Sequence, residues 1–206
     1  SAASDVYKRQ FPYTESFESE IKWSQRSRTE INWRVKSGGT PSPRTGPSGA
    51  FEGNNYYYVE ASSPNFPSKQ AVLESPCFDV SSLEALYVNF NYHMYGEKMG
   101  SLKVYVSNDE GESLLWEKQG DQGNQWNSET LEITSQYLSS GDTKLIFEGV
   151  TGSDFTSDIA IDGIAPKMKM RQQRMRRHKS ALERKYNNNN SWNTNAISPV
   201  SYTHLR

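Results

Sequence analysis

The strongest constraint on the fold is a texture: short runs of apolar residues alternating with polar ones, broken by Gly, Pro and Asn. It is densest in AVLESPCFDVSSLEALYVNFNYHMYGEKMGSLKVYV, Ala71 to Val106. Leu86, Val88, Phe90 and Tyr92 recur at every second position, a Gly-bounded turn follows, and Leu102, Val104 and Val106 resume the alternation. A period of two puts one row of side chains on a buried face and the other toward solvent, so the pattern predicts a half-buried antiparallel strand pair.

The rest of the chain repeats this texture. Phe11 to Glu20 is expected to hold a first short strand anchored by Tyr13 and Phe17, and Trp23 and Trp33 flank a loop leading into a strand at Ile31 to Lys36. Ser37 to Gly53 carries five Gly and three Pro, too many for regular structure, and is long for an idle loop. Further strands are expected at Asn55–Ala61, Ala71–Glu74, Leu114–Gln119, Thr130–Ile133, Lys144–Val150 and Asp158–Ile164, with Phe78 to Leu83 as an exposed connection. Eight to ten short strands with no helical pattern beyond about two turns describe an all-β, two-sheet sandwich. The 12 Tyr, 8 Phe and 5 Trp offset a low apolar content of 34% with large surfaces to bury.

The net charge of −1 hides two kinds of polypeptide. Phe11 to Pro166 holds 22 acidic and 11 basic residues, whereas Lys167 to Lys185 holds nine basic residues and Glu183 alone on the acidic side. Residues 166–199, basic and then Asn-rich, are expected to be a disordered or off-frame tail, giving no sequence-specific nucleic-acid binding. The two ends are odder still. DVYKRQ at Asp5–Gln10 and VSYTHL at Val200–Leu205 can be read from opposite strands of one DNA string, GATGTGTATAAGAGACAG. Residues 1–10 and 200–206 therefore resemble translated transposon-end adaptor sequence, and the domain between them is expected to be a piece of a longer protein with its flanks lost.

The residues that announce chemistry are missing. The only cysteine, Cys77, allows no intrachain disulfide and no cysteine-based zinc site, and with one histidine inside the domain, His93, it is expected to be buried and inert. His93 lies in a strand between Tyr92 and Met94 and reads as structural. There is no GxSxG, no HExxH and no phosphate-cradling loop before a helix. An acidic pair such as Glu148 and Asp158 is not distinguishable from surface acids, so the domain is expected not to be an enzyme. No run approaches the roughly 20 apolar residues of a membrane span.

Several long strings together carry a family likeness: W23 with W33, GGTPSPRTGPSGA at Gly38–Ala50, YYYVEASSP at Tyr56–Pro64, LESPCFDVS at Leu73–Ser81, YHMYGEKMGSLKVYV at Tyr92–Val106, GDQGNQW at Gly120–Trp126 and FEGVTGSDFTSDIAIDGI at Phe147–Ile164. In this order they resemble the MAM domain, in particular its bacterial secreted form, over essentially all of residues 11–165. The resemblance implies a jelly-roll sandwich of two antiparallel sheets. It also implies a non-catalytic extracellular module for adhesion or recognition of a protein or glycan partner at the cell surface. A carbohydrate-binding accessory domain of a degradative enzyme and a purely structural spacer are the alternatives. The chain departs from the animal pattern in lacking partner cysteines, and its closing motif has Asp162–Gly163 where a paired acid is usual.

The excess of carboxylates raises a metal. Calcium takes six to eight oxygens from carboxylates, amides and carbonyls. Related jelly rolls hold such an ion where the first and last strands meet, so a structural Ca2+ is expected on Glu18, Glu60 and Asp162, with Asn32 or carbonyls of the Gly-rich loop. Without an ion, these acids and Asp158 would serve loop amides and hydroxyls. Trp116, Trp126 and Tyr57 are the candidates for an exposed sugar-stacking platform.

Overall fold

The computed structural model describes residues 13–19, 21–138 and 142–170. The expected adaptor-like ends and the chain from residue 171 onward lie outside them. Among the described residues there are eleven strands: β1 Ser24–Gln25, β2 Arg34–Ser37, β3 Asn55–Val59, β4 Gln70–Glu74, β5 Phe78–Asp79, β6 Leu83–Met94, β7 Ser101–Asn108, β8 Gly111–Gln119, β9 Asn127–Thr134, β10 Asp142–Val150 and β11 Ile159–Met170. They form two sheets, one ordered β1-β4-β10-β7-β8 with β5 also on β10, the other ordered β2-β3-β11-β6-β9. The pairings are antiparallel, and the domain is a jelly-roll sandwich. No described helix is long and apolar enough to cross a membrane.

The opening alternation makes strands as expected, but not a hydrogen-bonded pair. β6 pairs with β9 and β7 pairs with β10 and β8, so the two lie in opposite sheets. The segment Tyr95–Gly100 is an arch between sheets rather than a hairpin turn. Its two glycines explain this: an added Cβ on Gly96 would overlap Thr156 O, and one on Gly100 would overlap Val150 O. The arch is thus pressed against the β10–β11 connection, a contact that a local sequence pattern does not encode.

The core lies between the sheets. Leu73, Leu102, Val104 and Phe147 from one sheet meet Val59, Val88, Phe90 and Ile161 from the other, and all are essentially fully buried. Phe90 and Phe147 meet edge-on across the interface at 5.2 Å between ring centres, and Trp23 packs on Phe147 at 5.6 Å. Burying each such side chain is worth about 1.5–3 kcal/mol. Trp33 is buried too and finds a partner for its indole N–H in Ala71 O, at 3.1 Å. Trp116 closes one open edge, meeting Phe90 and Tyr92 edge-on from β8 while its Nε1 donates to Glu129 Oε2 of β9 at 3.0 Å.

Other boundaries shift from expectation. Glu15 makes only an isolated bridge to Ile164, and the first paired strand is β1. The expected exposed connection at Phe78–Leu83 is anchored instead, with Phe78, Val80 and Leu83 buried and β5 paired to β10. Cys77 is half-buried rather than buried. β11 runs five residues beyond Ala165, to Met170.

Candidate functional site

The alternation in β3, β11 and β6 sends Tyr56, Tyr58, Ala160, Asp162, Asn91 and His93 to the side of the five-stranded sheet away from the core. Ordinarily that side is wet. Here all six are buried, because the Gly- and Pro-rich segment 38–55 lies over them. Within it Ala50 packs on Tyr56, Tyr58 and Ala160, and the rest of the segment's hold on the sheet is largely polar. Tyr56 Oη donates to Gly38 O at 2.8 Å, Trp126 Nε1 donates to Gly49 O at 3.0 Å, and the Asp158 amide donates to Thr45 Oγ1 at 2.8 Å. Asp162 Oδ2 accepts from the Phe51 and Glu52 amides at 2.9 and 3.1 Å. Glu18 Oε1 accepts from the Asn54 and Asn55 amides, both at 2.6 Å. Gly53, at φ +63°, lets the chain pass so close to Glu18 that a Cβ there would meet its carboxylate.

These carboxylates do not share one electrostatic state. Asp158 is fully buried; its Oδ1 accepts from the Ala61 amide, but Oδ2 has no partner among the described residues. Burial first, and then the neighbouring Glu60 charge, push its carboxyl up to about 7. Asp162 is raised to about 6 by burial, against the pull of the Glu52, Gly163 and Phe51 amides. Glu18 goes the other way, lowered by the Asn55 and Asn54 amides. His93 is buried with its Nδ1 unpartnered; burial lowers it to about 4, with Asn124 and Asp121 opposing. It is therefore a neutral, structural side chain near neutral pH.

The four expected metal ligands are not brought together. Glu18 and Asp162 hold the two halves of 51–55, at the start of β3. Glu60 lies five residues past Asn55, roughly 16 Å along an extended strand, where it accepts from Tyr58 Oη, Ser62 N and Ser62 Oγ. Asn32 is exposed, two residues ahead of Arg34, which pairs with Tyr58 toward that same far end. Among the described residues no group of three or more His, Cys, Asp or Glu could hold a metal. One Ca2+ on all four does not fit. Glu148 lies in the other sheet from Asp158, so that acidic pair does not converge either.

The aromatic candidates divide. Tyr57 is core, 7% exposed and edge-on to Phe17 at 4.5 Å. Trp116 and Trp126 are half-buried. Trp126 is ringed by Phe51 at 6.2 Å, Tyr56 at 5.9 Å and His93 at 5.6 Å. Phe51, 47% exposed, is the aromatic that sequence reasoning missed; it sits in a Gly-rich stretch with no alternation to flag it.

A second feature lies at the end of the six-stranded sheet. There an open pocket of about 440 Å3 is bounded by the β6–β7 arch, the β10–β11 connection and Ser68.

Residues 16–169 match the family model described as MAM domain, meprin/A5/mu. Human MAM domain-containing protein 2 is 36% identical over 151 residues, covering 71% of this chain and 21% of that protein. Rat MAM domain-containing glycosylphosphatidylinositol anchor protein 1 is 35% identical over 162 residues, 75% of this chain and 16% of that protein. The chain thus spans about a fifth of the length of these curated relatives. They are vertebrate proteins and give no support to the bacterial form expected from the sequence. Among solved structures, the K1 cleaved adhesin domain of Lys-gingipain from Porphyromonas gingivalis W83 superposes with a TM-score of 0.56 at 16% identity, covering 77% of this chain and 98% of that one; it shares the fold. With a family match running from the residue after Glu15 to the penultimate residue of β11, the chain belongs to the MAM domain family.

Proposed function

We propose that this domain is a non-catalytic recognition and adhesion module of a larger secreted or cell-surface protein, and that segment 51–55 with the loops around it meets a protein or glycan partner. The observation that carries the reading is Phe51. It is a half-exposed aromatic whose backbone is fixed by Asp162 on one side and, through Asn54 and Asn55, by Glu18 on the other. An aromatic presented on a preorganised backbone loses little conformational entropy on binding and is the type of residue that dominates interface energetics. The extracellular setting agrees with relatives such as the glycosylphosphatidylinositol anchor protein.

The test is binding of beads coated with the whole chain to cell surfaces, for the wild type and for Phe51→Glu. Saturable binding that falls about tenfold in the variant, with an unchanged melt, is the expected outcome. Equal binding by both would remove Phe51 as the anchor, and no saturable binding by either would favour the structural spacer.

For calcium we propose a smaller set, Glu18 and Asp162 with nearby carbonyls. It is supported by the two carboxylates flanking one five-residue segment; Glu60 and Asn32 lie too far along the sheet to share that ion. Adding Ca2+ after EDTA should raise the melting temperature, since an ion bound only by the folded state stabilises it by mass action. An unchanged melt would count against the ion.

A further inference from the structure

We propose that the pocket at the end of the six-stranded sheet binds a neutral saccharide unit, an assignment that rests on the recognition-module reading and gives it a glycan ligand. The register defines its floor: Gln119, Ser101 and Val150 stand in one row across β8, β7 and β10. The glycines shape its walls. Gly152 lies against Lys98 O so closely that a Cβ would overlap it, and Gly100 does the same to Val150 O. Packed backbone, rather than mobile side chains, therefore fixes the distance between the arch and the β10–β11 connection. At about 440 Å3 the space falls within the roughly 300–1,000 Å3 of small-molecule sites.

Its chemistry narrows the ligand. Glu18, Glu60 and Asp162, near other strand ends, are already engaged in hydrogen bonds. Within the pocket, the hydroxyls of Ser68, Ser101 and Ser153 and the amide of Gln119 make no hydrogen bond among the described residues, although Ser101 is 9% exposed. Four uncommitted donor–acceptor groups converging on one concavity match an array of ligand hydroxyls, since each hydroxyl both gives and accepts a hydrogen bond. Charge argues against an ionic ligand. The two charged side chains at the rim pair with each other, Lys98 Nζ to Glu97 Oε1 at 2.8 Å. In the next row along the sheet, Lys103 Nζ is 3.4 Å from Glu148 Oε1, and Gln70 Nε2 donates to Glu148 Oε2 at 2.7 Å. Met99 and Val150 supply a small apolar surface for the C–H side of a ring.

The experiment is a 1H–15N NMR titration of the whole chain with methyl glycosides of glucose, galactose, mannose and N-acetylglucosamine, and separately with inorganic phosphate. Saturable millimolar shifts with at least one glycoside, centred on Gly100, Ser101, Gln119 and Gly152, are expected. Two variants follow: Ser153→Trp, which fills the mouth from an exposed position, and Gln119→Ala, which removes one amide. Each should weaken that glycoside about tenfold without moving the melting temperature. The proposal is overturned if no glycoside gives saturable shifts, if the shifts map elsewhere, if both folded variants bind as the wild type does, or if phosphate alone binds. Cell-surface binding that depends on Phe51 would survive any of these results, so the pocket and the recognition reading fail separately.

Discussion

Asp158, Asp162 and His93 are buried on the same side of one sheet and pull stability in opposite directions with pH. Between the ordinary aspartate value of 3.8 and about 7, folded Asp158 holds a proton that the unfolded chain has released. Stability from that group is present at low pH and falls as pH rises through the window. Asp162 follows the same sign up to about 6. His93 has the reverse sign: between about 4 and 6.5 the unfolded chain binds a proton that the folded domain refuses, so stability falls as pH drops. Asp158→Asn keeps an acceptor for the Ala61 amide and removes the titration. Its stability relative to wild type, measured by denaturant unfolding, should rise by on the order of 2–4 kcal/mol between about pH 4 and about pH 8. A constant offset across that range would show that Asp158 does not titrate there. The sequence offers Asp162 as a metal ligand and Asp158 as an acceptor for loop amides and hydroxyls. It did not mark them as buried, because their burial comes from a loop some 110 residues away.

At the scale of elements, the strands were legible and their partners were not. Alternation in Leu86–Tyr92 and Leu102–Val106 is a local property, and both segments are strands. Which sheet each joins is decided by the arch between them and by its backbone contacts with the β10–β11 connection. The same cause explains Tyr57. Strand alternation sets Tyr56 and Tyr58 on the face opposite to it, but both faces of β3 are covered, one by the core and one by segment 38–55. The glycine contacts yield a sharp expectation. Gly152→Ala would drive a Cβ into Lys98 O and should destabilise the domain by about 2–4 kcal/mol, whereas Gly49→Ala, with open space around it, should change stability by less than about 1 kcal/mol. Equal melts for the two variants would mean that the arch and the connection are not in fixed contact.

For the whole molecule, the boundary of the domain matters most. The charge pattern suggested a change of character at Lys167, but β11 continues to Met170, with Lys169 Nζ 2.8 Å from Glu84 Oε1 of β6. Composition registers charge. It does not register that a basic run can still extend a strand and pair with a carboxylate on its neighbour. A chain ending at Ala165 should therefore melt roughly 2–4 °C below one ending at Met170, as expected for a loss of about 1 kcal/mol in a domain this size; coincident melts would put the working boundary back at Ala165. The family was readable because it rests on long, irregular strings, whereas the bacterial form read from the same strings is not supported by the vertebrate relatives. The candidate site was readable only in part: its acids appear in the sequence, but Phe51 and the unpaired hydroxyls of Ser68, Ser101 and Ser153 acquire meaning only once distant segments meet.

The position of β11 has one more consequence, for the order in which the domain can be made. β11, the last strand among the described residues, is the middle strand of its sheet, between β3 and β6, and Ile164 also pairs back to Glu15. A ribosome releasing this chain must therefore expose β2–β3 and β6–β9 as two separate half-sheets, each with a naked edge, until Ile159–Met170 emerges. Contacts of such long sequence separation slow folding and prolong exposure to aggregation. The five-stranded sheet is closed by β11, and a peptide spanning Ile159–Met170 supplied in trans is the natural piece with which to complete it.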